Sequence, residues 1–296
     1  MKTRRNRLRA YRVVDVPLRE VSGICLRRGP ANELTLLAIG DRAALVAWFV
    51  QPNDDMASLD WQTVGIDRLE GTRLPVDDPN IEAVCADGAG RVLLLQESPP
   101  RTELIDPLAH RVVASISLDI PGRDELSRSW ADPAGSHGEG AVFLPGGHLL
   151  VAKEKDPPAL IEFGPPGAAP VGLARGGALP PGEAWPIDPG DHRYVAIGTW
   201  WPDEGLLGAC ADFSDLEVGP DGRLYLLSDK SDSIARLADL SPGGGAASAL
   251  ATWRLGSMKG KPEGLAFTPN GRALVALDTR KARHNLVLFE PPIAAA

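Results

Sequence analysis

One phrase recurs five times along this chain, and it limits the fold more than any other feature. Its cleanest form is Lys261 to Glu290 (KPEGLAFTPNGRALVALDTRKARHNLVLFE), where Glu263 opens an apolar strand, Pro269-Asn270-Gly271-Arg272 supplies a turn, and Ala273 to Leu277 ends at Asp278. Two apolar runs around Asn-Gly predict a β-hairpin. The same phrase runs from Ser214 to Asp229, Glu139 to Glu154 and Glu82 to Glu97, each with an offset of fifteen residues between its two markers. A fifth copy, Ser22 to Asp41, has an offset of nineteen because Arg27 to Asn32 lengthens its turn. Self-similarity of this kind predicts a repeat architecture.

Each hairpin is followed by two further strand-like runs. They are Ala44 to Val50 and Trp61 to Ile66 in the first copy, Thr102 to Asp106 and Arg111 to Leu118 in the second. The third has Ala159 to Phe163 and His192 to Trp200 around an irregular stretch rich in Pro, Gly and Ala, and the fourth has Ser233 to Leu237 and Thr252 to Leu255. The loop Asp119 to His137 is long enough to cover something. The last copy stops after His284 to Glu290, one strand short, while Tyr11 to Pro17 has no partner nearby in sequence. Four-stranded units completed by the first strand of the chain describe an all-β fold, a single β-propeller closed by its N-terminal strand. The second hairpin strands are apolar at nearly every position, as expected where neighbouring blades cover both faces. The first markers stand 60, 57, 75 and 49 residues apart, which favours five blades and leaves six open only in the third interval. The expected layout is a basic tail at 1–10, one propeller domain at 11–290 and a short tail at 291–296.

Composition narrows the partners. With 31 Lys and Arg against 39 Asp and Glu, the chain carries a formal charge of -8, which disfavours nucleic acid or an anionic membrane surface as a ligand. No uncharged run approaches the length of a membrane span, and the basic N-terminus is followed by no apolar signal region. Cys25, Cys85 and Cys210 are too scattered for a disulfide framework and read as buried thiols in a reducing compartment. A cytoplasmic monomer is expected.

In an antiparallel hairpin the start of the first strand and the end of the second share an edge. All the markers therefore fall on one rim, around the channel if the first strand of each blade lines it. That mouth gathers Glu82, Glu139 and Glu263 with Asp41, Glu97, Glu154, Asp229 and Asp278, beside Ser22 and Ser214. Crowded carboxylates call for a cation or for raised pKa values, and an all-oxygen set suits calcium. The structural alternative has these acids accepting hydrogen bonds from strand-end amides and pinning blades together. Glu82, Glu139 and Glu263, with Glu97 and Asp278, form the expected metal set. Bases follow the second markers, so Arg42, Lys155, Lys230 and Arg280, with Asp229, are the expected grip on a small anionic substrate. Glu154 and His137, the histidine nearest a marker, are the candidate proton carriers.

Three segments, EGAVFLPGGHLLVAKEKDPPALIEF, FSDLEVGPDGRLYLLSDKSDSIARL and PEGLAFTPNGRALVALD, resemble blades of the phytase-like β-propellers associated with esterase-like activity. They resemble more distantly those of β-propeller phytases and regucalcin-type lactonases. The resemblance implies that Glu139 and Glu263, by their Glu-Gly motif, and Glu82, by Glu-Ala, help bind calcium or another divalent ion at the channel mouth. No convincing equivalent of the phytases' Asp-Asp-x-Glu-Asp-Pro cluster is found here, which counts against phytate hydrolysis itself. The expected function is metal-dependent hydrolysis of a small anionic phosphoester or ester. The alternatives are a non-catalytic ligand- or partner-binding propeller and a metal-assisted lactonase or cyclase.

Overall fold

The computed structural model describes residues 6–28, 33–41, 61–75, 77–256 and 258–295, together with the backbone of 45–50. Two strands, β1 (Asn6–Arg7) and β2 (Arg9–Val14), precede the first antiparallel unit, β3 (Val21–Arg28), β4 (Leu34–Gly40), β5 (Leu45–Val50) and β6 (Gln62–Gly65). The second unit is β7 (Ile81–Ala86), β8 (Val92–Gln96), β9 (Arg101–Asp106) and β10 (Arg111–Asp119). A short helix, α1 (Glu125–Ala131), leads to the third: β11 (Gly138–Leu144), β12 (His148–Lys153), β13 (Ala159–Gly164) and β14 (Gly190–Pro202). After α2 (Glu204–Leu207), the fourth is β15 (Asp215–Val218), β16 (Leu224–Ser228), β17 (Ser233–Leu237) and β19 (Ala249–Arg254), with β18 (Gly245–Ala247) lying parallel to the end of β14. The last is β20 (Lys261–Phe267), β21 (Ala273–Asp278) and β22 (Leu286–Glu290), completed by β2.

These strands form five four-stranded antiparallel units among the described residues. Their first strands touch in a closed cycle, β3 to β7 to β11 to β15 to β20 and back to β3, which makes the chain a β-propeller with those strands around its axis. Five apolar clusters fill the five junctions between units. Alternation explains the unbroken apolar runs. Leu93 and Leu95 of β8 pack toward the third unit, whereas Val92 and Leu94 pack toward the first. Each fully buried side chain of this kind contributes roughly 2 kcal/mol.

Closure follows expectation, with Arg9–Val14 as the paired segment rather than Tyr11 to Pro17. Past the strand, the Asn285 side chain accepts from Val16 N at 2.7 Å and donates to the carbonyls of Val16 at 3.1 Å and Leu18 at 2.8 Å. Both expected tails need correction. Asn6–Arg7 lies parallel to β19 and Leu8 is buried, because the fourth unit has an open outer edge that the chain covers before it reaches β22. At the other end Ile293 and Ala294 are buried: their amides donate to Gly271 O, and Ile293 O accepts from Tyr225 Oη at 3.0 Å. The second and third units are also fused, since their outer strands β10 and β14 pair in parallel from Ala114 to Asp119 and make one nine-stranded sheet. No helix among the described residues is long and apolar enough to cross a membrane. Cys25, Cys85 and Cys210 are free and buried.

Candidate functional site: an acid-lined channel mouth

Four of the five first markers leave the strand ladder. In β3, β7, β11 and β20 the pairing slips by one residue at Val21/Gly23, Ile81/Ala83, Gly138/Gly140 and Pro262/Gly264. The residue passed over is Ser22, Glu82, Glu139 or Glu263 in turn. A bulge frees one residue from pairing and re-aims its side chain; here all four residues face one cavity. The residue that follows is small for a reason. A Cβ on Gly140 would stand 2.4 Å from Leu216 N, and one on Gly264 would stand 2.9 Å from Ile24 N, both on the neighbouring first strand. The Glu-Gly motif thus couples an acid aimed at the axis to the closest approach between blades. In the fourth unit Asp215 replaces the glycine, and its carboxylate crosses to Leu265 N at 2.6 Å.

The cavity, of about 460 Å³, is lined by the first markers Ser22, Glu82, Glu139, Ser214 and Glu263 and by the second markers Asp41, Glu97, Glu154, Asp229 and Asp278. Every marker from every unit is there. Lys155 also lines it, with its ammonium on both oxygens of Glu154, one of them at 2.6 Å. The other expected bases do not complete an anion grip. Lys230 and Arg280 are exposed and lie off the cavity lining. Lys230 enters a turn closed by Asp232 N to Asp229 O at 3.0 Å, which carries its side chain outward. Arg42 lies outside the described residues. His137 is buried behind the mouth, where its Nε2 donates to Trp130 O at 2.9 Å and its Nδ1 stands 3.7 Å from Glu97 Oε1. It supports Glu97 from behind and does not line the cavity.

Nine carboxyl groups share this cavity with two lysines, Lys155 and Lys261. Burial, and then repulsion from one another and from Asp41, Glu97, Glu154 and Glu263, holds Glu82 and Glu139 well above the usual carboxylate range. Burial and the nearby Asp229 push Glu263 up to about 8. Glu97 goes the other way. Burial alone would raise it, but the nearby His137 ring and the hydrogen bond from Asn80 together bring it below its ordinary value. The mouth therefore holds protonated and ionised carboxyls side by side, the arrangement from which acid and base roles are drawn.

An all-oxygen donor set short of positive charge fits a hard divalent cation in its chemistry. As placed, no three His, Cys, Asp or Glu side chains among the described residues form a ligand cluster. A cation held here would keep water in its shell.

Several contributors escaped sequence reasoning. Lys261 stands two residues before Glu263 and Glu20 two before Ser22, on the approach to the bulge, and their spacing from the markers was the available signal. Lys153 is fully buried, its ammonium is on the carbonyl of Lys155, and burial pulls its pKa down to about 8. Glu103 and Glu162 are buried within third strands and hold connections by backbone amides, Arg73 N at 2.7 Å for the first and Gly172 N at 2.9 Å for the second. An acid inside an apolar run (TELID, LIEF) was their only sign.

No protein-family model and no curated protein matches the chain. Among solved structures, a glutaminyl cyclase of Myxococcus xanthus superposes over 98% of each chain at 11% identity and a TM-score of 0.53. A gluconolactonase from Xanthomonas campestris matches 95% of this chain and 79% of its own at 12% identity and a TM-score of 0.42. A protein of unknown function from Bacteroides caccae is 19% identical, with a TM-score of 0.38, over 82% of this chain, which spans 65% of that protein's length. Likeness at these identities speaks to the fold alone. Fold and site together define a β-propeller with an acid-lined channel mouth.

Proposed function

We propose that this propeller is a divalent-cation-dependent hydrolase of small anionic esters or phosphoesters, with calcium at the acid-lined mouth. One observation carries the reading: nine carboxyls converge on a single cavity with two lysines to offset them, and burial with mutual repulsion holds Glu82, Glu139 and Glu263 above the usual range. Such a site is stabilised by a cation, and the resemblance of the Glu139-Gly140 and Glu263-Gly264 hairpins to phytase-like propellers agrees with it. Glu82, Glu139 and Glu263 would hold the ion. When bound, it supplies Lewis acidity toward the substrate and toward water.

The chain's own groups divide the rest of the work. Glu97 is kept ionised by Asn80 and His137, so it is suited to accept a proton from water. Glu154 shares that role, with Lys155 held beside it to meet the anionic end of the substrate. Lys261 takes the part expected of Lys230 and Arg280.

The test begins with chelated, metal-free protein titrated with calcium chloride while the melting temperature is followed. A panel containing a phosphomonoester, a carboxylic ester and a lactone is then offered. Calcium should raise the melting temperature and support turnover of one anionic member. Glu139→Gln should melt higher than the parent without metal, because a repelling carboxyl is gone, yet lose the calcium shift and the turnover. An unmoved melting temperature and no turnover across the panel would overturn the proposal.

A further inference from the structure

The channel has a second end, built from the far halves of the same inner strands. There a cavity of about 510 Å³, within the range of small-molecule sites, is lined by Cys25, Cys85, Val142, Phe143, Glu217 and Phe267, among others. One wall comes from the irregular connection between β13 and β14. That strap is moored at each step: Val171 N and Gly172 N donate to Glu162 at 2.8 and 2.9 Å, Gly176 N to Gly222 O at 2.7 Å, Gly182 N to Gly88 O at 2.7 Å, and Trp185 N to Asp87 Oδ2 at 3.0 Å. It crosses turns of the second and fourth units and presents Leu179 and Pro180 to the cavity. A wall tied to three blades is a fixed part of the site.

Glu217 is the chemical anomaly of this pocket. Its one hydrogen bond among the described residues comes from the next amide, Val218 N to Oε1 at 2.9 Å. The charges around it are otherwise engaged or remote from it. Asp215 accepts from Leu216 N and Leu265 N, Asp87 is paired with Arg91, Arg28 on the cavity wall is not among the groups that shift Glu217, and burial keeps the thiols of Cys25 and Cys85 protonated. A carboxyl at the wall of a mostly apolar cavity, perturbed by burial and by the Val218 amide and by no neighbouring charge, leaves a place for a counter-charge.

We propose that this second cavity binds a small amine with an apolar body, the ammonium on Glu217 and the body against Val142, Phe143 and Phe267. Aromatic faces and a carboxylate both attract an ammonium group. The amine meets a group that burial otherwise holds at about 8, so binding draws the proton from Glu217 and strengthens as the pH rises toward that value. This inference is independent of the chemistry at the other mouth.

Calorimetric titration of the full chain in saturating calcium, with benzylamine, benzyl alcohol, benzoate and methylamine, tests it. Benzylamine should bind roughly tenfold tighter than the alcohol or methylamine, the equivalent of about 1.4 kcal/mol for one charge-assisted contact or one buried apolar body. The preference over the alcohol should vanish in Glu217→Gln and persist in Glu139→Gln. Equal binding of all four probes, a preference for benzoate, or loss of the preference in Glu139→Gln instead would each overturn the assignment.

Discussion

Glu139 sits where a carboxylate would not stay charged unaided. Buried on a bulge and facing Glu82, Glu154 and Glu97, it is held above the usual carboxylate range, as are Glu82 and Glu263. The consequence for stability has a definite sign. A carboxyl whose folded pKa exceeds its unfolded value contributes stability that is full below the ordinary value of 4.5 and is lost as the pH climbs through the folded value, here about 8 for Glu263. Metal-free protein should therefore lose melting temperature steadily from about pH 5 to about pH 8, and saturating calcium should flatten that fall. Thermal melts across the range with and without chelator check this; a metal-free profile that rises with pH would show that the mouth's acids are already neutralised.

At the scale of the strand, the bulge and the small residue after it make one device. Gly140→Ala places a methyl group 2.4 Å from Leu216 N, against backbone that cannot step aside, and should destabilise the protein by about 1–3 kcal/mol in urea denaturation. Ala83 occupies the equivalent place in the second unit, so Ala83→Gly should change stability far less and serves as the control. The hairpins were readable because their signals are local: turn residues, apolar runs and a fixed offset between markers. That offset alone predicted that ten marker residues would share one rim, and they do. The bulge was not readable, since it is a relation between two strands and leaves no period of its own. Nor was the fate of the bases. Whether Lys155 turns inward to Glu154 while Lys230 turns outward depends on the turn each enters, and both follow an acid in sequence. The strap between β13 and β14 looked irregular because, apart from short turns of its own, its backbone bonds go to other blades, to Gly88, Gly222 and Leu240.

For the whole molecule, closure is the weakest demand the sequence could make and the one the fold depends on most. β2 supplies the outer strand of the last unit, β1 covers the edge of the fourth, and Asn285 clasps the turn between them and the first blade. Deleting residues 1–18 should expose two sheet edges and remove buried Leu8, Val16 and Leu18, giving aggregation or a collapsed melting temperature. Light scattering and a thermal melt of the truncated chain check this, and unchanged stability would show that the ring closes by its inner strands alone. The parallel pairing of β10 with β14 has another effect. Among the described residues, the seam between the second and third units carries the longest outer pairing, six residues of β10 on six of β14, against the three that β14 shares with β18 of the fourth unit. Those two blades should therefore move more nearly as one plate than any other neighbouring pair. Glu82, Glu97, Glu139 and Glu154 ride on that plate. The mouth should thus have a stiffer side of four glutamates, facing Asp41, Asp229, Glu263 and Asp278.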